Sequence, residues 1–592
     1  MAGTQVMLPL DIRQVRVGGE IGRRRDLTVN ANLLALDVER DFLQPFRERS
    51  LAHGYVGLGK LIDAAVHFAA GASDPRVIAL KAPLIAAALR TQEADGYIGI
   101  LLPENRVWGV YDIHETSHLV LSLAHDYHYF GDPSSLAAAR RLADFTLDRW
   151  LAEPDRYPGS GNYGWVGSRR VLYGVTLGLD DALMLLYQET GESRYLDFLL
   201  TFPLYCLPEW ATDPQLATYP EVMLDERHSY IYMALCVAQM QLNQLRPDPA
   251  LLKQAHKALD FLTRRDGLLV SGSCSLAESW HSDQTGAGEV SESCATAYLI
   301  RMMHYLLLAE GDPRYGDLME RALYNALFAA QSPAGRELRY FTALEGPRVY
   351  LEGDTGCCPN NFRRIVAELP MVIYYRRGAG VMVNLYTPSE ARLELDGGVA
   401  LTLTQQTDYP SSGEVTLRLE PATPAAFPLY LRVPLWAAGA TASVNGEPLD
   451  QPLEPGTLLT IERTWHAGDE VQLHLPLEFR WVRGRQLQEG RAALLRGPVL
   501  FCLNPARNQE ALAGADVHEV VIDPASLSGP LADDSVRPGG QACQVTARAS
   551  ADSDVEVRLT LTEFVDPGGE ATHLRVPASA WAEMGDDELR EA

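Results

Sequence analysis

The chain has 592 residues, of which 47% are hydrophobic and 22% charged, and its formal net charge is −26. This length predicts two or three domains with enough core to fold without disulfide bonds. The strong negative charge, without any Lys/Arg-rich run interleaved with aromatic residues, excludes nucleic acid as a partner.

Targeting and membrane signals are not apparent in the sequence. Residues 1–11 lack a cationic start followed by an apolar stretch, and no segment approaches about 18 uninterrupted apolar residues. We therefore expect a soluble, cytoplasmic protein with no membrane partner. The cysteines outside the motifs described below have no regular spacing, which suits a reducing compartment: Cys206, Cys236, Cys274, Cys502 and Cys543.

From about residue 51 to residue 330, apolar helical stretches alternate with short turns that contain Gly, Asp or Pro. Each turn joins a glycine C-cap or proline breaker to an acidic or Ser N-cap, as in helix hairpins. The turns are Gly71–Pro75, Gly131–Pro133, Gly191–Ser193, Pro247–Pro249 and Gly311–Pro313. This pattern predicts a helical domain over residues 1–375, an (α/α) toroid whose loops gather at one mouth.

After about Arg376 the sequence changes to short runs of alternating apolar and polar residues. Asn445-Gly446 and Gly468-Asp469 separate such runs and are typical of β-hairpin turns. We predict a β-sandwich over residues 376–482, and a second sandwich or an extension of the first over residues 483–592.

Glu292-Ser-Cys294 and Gly356-Cys357-Cys358-Pro359 contain three thiols and a carboxylate, the ligands that Zn2+ takes in tetrahedral geometry. A disulfide between adjacent cysteines strains the peptide between them, whereas one metal ion accepts both thiolates. The alternative is that these cysteines pack as small hydrophobic residues. The combined spacing favours a metal site, structural or catalytic, without ranking Cys357 against Cys358.

Glu278 and Trp280 lie in a Ser/Gly-rich loop just before Glu292. A carboxyl group there is a candidate proton donor, and the indole is a candidate to stack on a sugar or to exclude water from the pocket. The alternative for Glu278 is a solvated loop acid.

His114-Glu-Thr-Ser-His118 matches the H-E-x-x-H pattern of zinc peptidases, in which two imidazoles lie one helical turn apart. The pattern is short and arises by chance in long chains. In the toroid model His114 instead faces the mouth and binds a substrate hydroxyl, while His118 is a hydrogen-bonded histidine between packed helices.

These motifs together resemble glycoside hydrolase family 127, the β-L-arabinofuranosidases, over most of the chain. The Glu-x-Cys and Cys-Cys motifs are specific. The motifs of the β region are individually weaker but occur in the same order as in the family. The motifs are Glu278–Trp280, Glu292–Cys294, Gly356–Pro359, Leu385–Ser389, Arg432–Trp436, Val444–Glu447, Trp465–Asp469 and Arg496–Pro498.

The resemblance implies an (α/α)6 barrel followed by β-sandwich domains. It also implies a Zn2+ ion bound by Glu292, Cys294, Cys357 and Cys358, with Cys357 as the nucleophile and Glu278 as the general acid/base.

By the same resemblance, His114 and His228 are substrate-site histidines. Thr176 stands where the family usually has a third substrate histidine, which leaves the exact sugar open.

The sequence thus predicts a zinc-dependent retaining exo-glycosidase that releases terminal β-L-arabinofuranose, or a related furanose, from a small oligosaccharide or glycoside. The alternatives are a hydrolase for another plant-polysaccharide sugar, such as an acidic or branched furanoside, a non-catalytic carbohydrate-binding protein, and a zinc peptidase that uses His114 and His118. A homodimer is left open.

Overall fold

The computed structural model describes residues 6–51, 54–72, 74–109, 111–153, 177–201, 228–550 and 555–590. It combines helices and sheets and divides into two compact units. The first unit includes Arg25–Ala258 and Glu352–Glu368, and the second includes Gln5–Arg24, Leu259–Leu351 and Leu369–Ala592. Thr176 and Cys206 lie outside the described residues.

Helices make up most of the described part of the first unit. They are α2 (Gln44–Glu48), α3 (Leu58–Ala72), α4 (Pro75–Leu89), α5 (Asp112–Phe130), α6 (Pro133–Ala152), α7 (Leu179–Thr190), α8 (Ser193–Thr201), α9 (Ser229–Leu245), the start of α10 (Lys253–Arg264), and α13 (Cys357–Glu368). Helix α3 packs against α4, α5 and α13, and α5 also packs against α6 and α7.

The turns between successive helices confirm the predicted helix hairpins. Gly131 ends α5 with a φ of 71°, and the Asp132 side chain accepts a hydrogen bond from the Ser134 backbone as the N-cap of α6. Asp74 caps α4 in the same way, with Pro75 at the first helical position. A closed ring of six hairpins stays a prediction, since residues 154–176 and 202–227 are not among those described.

The second unit contains α1 for most of its length (Gly19–Leu27), the end of α10, α11 (Ser293–Glu310), α12 (Arg314–Ala322), α14 (Gln509–Leu512) and α15 (Ala578–Glu583). Its strands begin with β1 (Leu8–Pro9) and β2 (Val15–Val17). The next strands are β3 (Tyr374–Arg377), β4 (Gly380–Val383), β5 (Ser389–Glu394), β6 (Ala400–Thr407), β7 (Glu414–Pro421), β8 (Ala425–Val433), β9 (Thr441–Val444), β10 (Glu447–Pro448), β11 (Thr457–Trp465) and β12 (Asp469–His474).

These twelve strands form a five-stranded sheet, β1-β3-β4-β8-β11, and a seven-stranded sheet, β10-β9-β12-β7-β6-β5-β2. Alternate residues of β5, β6, β7 and β12 are buried. The seven-stranded sheet therefore buries one of its faces and exposes the other, as the sandwich prediction requires. Asn445-Gly446 turns between the paired strands β9 and β10, which confirms that hairpin. The hairpin prediction for Gly468-Asp469 is wrong, because β11 and β12 belong to different sheets.

The C-terminal strands form a third sheet that closes on itself. They are β13 (Phe479–Arg483), β14 (Arg491–Arg496), β15 (Val499–Leu503), β16 (Val521–Ala532), β17 (Gln541–Arg548), β18 (Glu556–Glu563) and β19 (Leu574–Arg575). Strand β19 pairs with both β16 and β14, which makes a β-barrel instead of the predicted second sandwich. Its interior is an apolar cluster that includes Leu494, Phe501, Val545 and Leu561.

Within the described residues, none of the helices is both long enough and apolar enough to cross a bilayer.

Candidate active site

The Cys357-Cys358 pair begins α13 in the first unit. Gly356 precedes it with a φ of 94°, a backbone conformation that glycine adopts without strain. The Gly356 N–H donates to the Val56 carbonyl at 3.1 Å, and the Asn360 amide donates to the Gly356 carbonyl at 2.8 Å. The first helical turn presents backbone N–H groups, an environment that favours thiolates.

Exposure distinguishes the two thiols. Cys357 is partly exposed, whereas Cys358 is only 1% exposed. Of the two adjacent cysteines, Cys357 is therefore the more accessible to solvent.

Two arginines of α13 donate hydrogen bonds to other residues of the first unit. Arg363 donates to the Asn32 side chain at 2.7 Å and to the Asp354 carbonyl at 2.9 Å. Arg364 donates to a carboxylate oxygen of Asp63 at 2.6 Å. These bonds fix the helix that carries both cysteines.

Asp63 is also the centre of a second cluster, which the sequence analysis missed. His125 Nδ1 lies 2.7 Å from the Asp63 carboxylate, and His67 Nδ1 lies 2.9 Å from the Asp63 carbonyl. Burial alone would raise the pKa of Asp63, but Arg364, His67 and His125 hold it well below the usual range. The sequence signal for this cluster was the spacing of Asp63 and His67, which are four residues apart and therefore lie on one face of α3.

Glu292 and Cys294 lie at the start of α11 in the second unit. Both are fully buried, and Glu292 occupies the N-cap position. The Glu292 N–H donates to the Ser275 hydroxyl at 3.0 Å, and the Ser293 hydroxyl donates to the Arg339 carbonyl at 2.6 Å. Burial, reinforced by the Glu292 charge, raises the pKa of the nearby Cys274 thiol, so Cys274 stays neutral.

Glu278 occupies a turn of the same unit with a φ of 66° and is half-buried. The Tyr340 hydroxyl donates a hydrogen bond to its carboxylate. Trp280 is 4% exposed and packs edge-on against Phe261, with ring centroids 5.4 Å apart. Both roles expected of Trp280, stacking on a sugar and excluding water from the pocket, stay predictions.

The H-E-x-x-H segment lies on α5, but its glutamate is bound to backbone groups. Glu115 accepts hydrogen bonds from the Val56 and Gly57 N–H groups, both at 2.8 Å. His118 Nδ1 donates to the His114 carbonyl at 2.8 Å, and burial lowers the pKa of His118 well below its usual value. His118 is thus the hydrogen-bonded histidine expected between packed helices, and Glu115 is not placed as a peptidase base.

The four predicted metal ligands form two pairs, one in each unit. Cys357 and Cys358 are adjacent at the start of α13 in the first unit. Glu292 and Cys294 lie at the start of α11 in the second. Among the described residues, His114 and His118 belong to no group of possible metal ligands.

Comparisons with known proteins identify the family. Residues 32–371 match the model of the GH127 β-L-arabinofuranosidase catalytic domain, and residues 380–477 match that of the GH127 middle domain. The chain is 25% identical to a non-reducing end β-L-arabinofuranosidase of Bifidobacterium longum, over 90% of this chain and 87% of that protein.

Solved structures share the fold. One described as a GH127 β-arabinofuranosidase has a TM-score of 0.80 at 20% identity, covering 98% of this chain and 99% of the other. A GH127 β-L-arabinofuranosidase from Geobacillus stearothermophilus T6 has a TM-score of 0.76 at 22% identity, covering 95% and 100%. Since the catalytic-domain model alone spans more than half of the residues, the chain belongs to glycoside hydrolase family 127 and is a glycoside hydrolase.

Proposed function

We propose that this chain is a retaining exo-β-L-arabinofuranosidase in which Cys357 is the nucleophile and Glu278 the general acid/base. The observation that carries the proposal is that each unit places a pair of soft-metal ligands at the start of a helix, Cys357 and Cys358 on α13 and Glu292 and Cys294 on α11. The family assignment and the activity of the Bifidobacterium relative support the reaction class.

We propose that Glu292, Cys294, Cys357 and Cys358 bind one Zn2+ ion. Three sulfur donors and one oxygen donor suit this borderline-soft ion, and burial of Glu292 and Cys294 makes their charged forms costly unless a cation neutralises them. The bound ion would keep the thiolates ionised at neutral pH.

In the first step the Cys357 sulfur attacks the anomeric carbon while the bond to the leaving oxygen breaks. Glu278 donates its proton to that oxygen, so the alcohol leaves neutral. In the second step Glu278 takes a proton from water as the water oxygen displaces the sulfur. Two successive displacements retain the anomeric configuration.

Three further side chains support the two reacting groups. The Tyr340 hydroxyl orients the Glu278 carboxylate through the hydrogen bond between them. His228 occupies the N-cap position of α9, and His114 packs edge-on against Tyr55 with ring centroids 4.6 Å apart. Imidazole nitrogens at these places would bind sugar hydroxyls.

Cys357→Ser tests the nucleophile and the metal site together. We expect turnover of an aryl β-L-arabinofuranoside to fall on the order of 10³-fold or more, because a serine hydroxyl is a much weaker nucleophile here. Bound zinc, measured by elemental analysis, should fall below one per chain in Cys357→Ser and Cys358→Ser.

The matched control is His114→Ala, which removes a proposed substrate contact and should keep its zinc. Zinc lost from His114→Ala alone would instead support the peptidase hypothesis. Full zinc with no turnover of any glycoside by the unmodified chain would support a carbohydrate-binding protein. Comparing aryl glycosides of several furanoses would separate β-L-arabinofuranose from acidic or branched furanosides.

Glu278→Gln tests proton donation. The variant should lose far more activity on substrates with poor leaving groups than on aryl glycosides, whose leaving oxygens need little protonation. The measurement is a plot of kcat/KM against the pKa of the leaving group. Its slope should be steeper for the variant than for the unmodified chain. Equal losses across the series would contradict the acid role.

A further inference from the structure

Glu115 is an almost fully buried carboxylate that the proposed mechanism does not use. It is 1% exposed, lies in the first turns of α5, and accepts backbone hydrogen bonds from Val56 and Gly57 at 2.8 Å and a longer one from Gly59 at 3.4 Å. These N–H groups belong to residues at and just before the start of α3. Because the first N–H groups of a helix have no partner within it, Glu115 acts as an N-cap supplied by another helix.

The segment that Glu115 binds, Val56–Gly59, also contacts the residues before the Cys-Cys pair. The Val56 carbonyl accepts the Gly356 N–H at 3.1 Å. Gly57 has a φ of 90°, and a Cβ there would lie 2.5 Å from the Asn360 amide nitrogen and 3.2 Å from the Gly356 carbonyl oxygen. Asn360 in turn donates to that carbonyl oxygen.

These contacts form a continuous path. It leads from the Glu115 carboxylate to Val56–Gly57, and from there to Gly356, the residue bonded to Cys357. All of these residues belong to the first unit. A carboxylate suits the place because both of its oxygens accept, whereas an amide has one acceptor and directs an NH2 group at backbone donors.

We propose that Glu115 is a positioning residue that fixes the Cys357 sulfur for attack by holding the Val56–Gly59 segment against Gly356. This role rests on the proposed function of Cys357. It gives the glutamate of the H-E-x-x-H motif a part in glycoside cleavage without any contact to substrate or metal.

The test is Glu115→Gln, assayed at a temperature where the variant is folded by circular dichroism. We expect kcat on an aryl β-L-arabinofuranoside to fall about 10- to 100-fold, the effect of displacing a reacting atom by about 1 Å. KM should change less than about threefold, because sugar contacts are untouched. Alkylation of Cys357 by iodoacetamide, followed by mass spectrometry, should change in rate as well.

Asp126→Asn is the matched control. Asp126 is also 1% exposed, lies on the same helix about 16 Å further along, and pairs with Lys81 and with Ser135 at 2.7 Å. It should lower the Tm while leaving kcat and the alkylation rate unchanged. Equal kcat losses in Glu115→Gln and Asp126→Asn would reduce Glu115 to a stabilising residue and overturn the proposal.

If Glu115→Gln does not fold, Gly57→Ala perturbs the same contact from the other side and should lower kcat likewise; an unchanged kcat would contradict the proposal. Cys357→Ser, assayed in parallel, separates the two hypotheses. An inactive Cys357→Ser beside a fully active Glu115→Gln overturns only the positioning role. An active Cys357→Ser overturns the proposed function and the positioning role with it.

Discussion

At the residue scale, burial controls the charge of groups around the start of α5. Asp112, the first residue of that helix, accepts hydrogen bonds from the Tyr97 hydroxyl at 2.8 Å and from the Val107 N–H at 2.6 Å. Burial nevertheless raises the pKa of Asp112 to about 6. A carboxyl group with this pKa is protonated in mildly acidic solution and ionised at neutral pH.

The raised pKa predicts a specific pH dependence of stability. Between pH values near 3.8 and 6 the unfolded chain loses the Asp112 proton while the folded chain keeps it, so stability falls as pH rises. The shift corresponds to about 3 kcal/mol at about 1.36 kcal/mol per pKa unit.

Asp112→Asn removes this ionisation. We therefore expect the Tm of the variant, relative to the unmodified chain, to rise between pH 4 and pH 7 and to stay level above that. Differential scanning calorimetry at several pH values measures it, and a Tm difference independent of pH would contradict the assignment.

At the element scale, glycine allows α3 to approach α5 closely. A Cβ on Gly59 would lie 2.4 Å from the backbone atoms of His118 and Leu119. Backbone cannot rotate away as a side chain can, so the two helices would have to separate. The Glu115 contact to the start of α3 depends on the same approach.

Gly59→Ala should therefore destabilise the protein by about 1–3 kcal/mol, in the range of overpacked cores, even though alanine favours helices. Gly131→Ala is a useful comparison, because a Cβ there meets nothing within 4 Å and only the positive φ of 71° is strained. Chemical denaturation would measure both. A Gly59→Ala variant as stable as the unmodified chain would show that the helices separate easily.

At the scale of the whole molecule, a buried ion network joins helix and sheet within the second unit. Arg432 of β8 binds Asp317 and Glu320 of α12, the latter at 2.8 Å, and donates to the Asn384 carbonyl at 2.6 Å. The Tyr409 hydroxyl donates to Glu320 at 2.7 Å. These charged groups thereby connect α12 to strand β8 of the five-stranded sheet.

Arg432→Met should destabilise the protein strongly, by about 3–5 kcal/mol, because it leaves two carboxylates buried without their cation. The measurement is the Tm in a thermal scan. Arg418→Met removes an exposed ion pair with Glu420 and should leave the Tm nearly unchanged. Similar changes in Tm for both substitutions would contradict the prediction that losing the buried cation costs more stability than losing the exposed ion pair.

Local sequence patterns determined much of the fold. Turn residues such as Gly131-Asp132-Pro133 specify helix ends through their own caps, and Asn445-Gly446 specifies a hairpin through positive φ angles. Gly468-Asp469 carries a similar signal yet links two different sheets, because pairing depends on strands that are distant in sequence. The closure of the C-terminal barrel likewise depends on long-range pairing, since β19 pairs with β14 and β16.

For the candidate site, too, some properties follow from the local sequence and others from the tertiary structure. The sequence by itself determined which side chains suit a soft metal and a proton donor, since thiols and carboxylates in these motifs are chemically distinctive. Only the tertiary structure decided that Trp280 is buried, that Cys357 is the more exposed of the two adjacent cysteines, that Asp63 binds Arg364, and that Glu115 caps α3. Burial and long-range hydrogen bonds depend on which segments meet in space, and that information is spread over the whole chain.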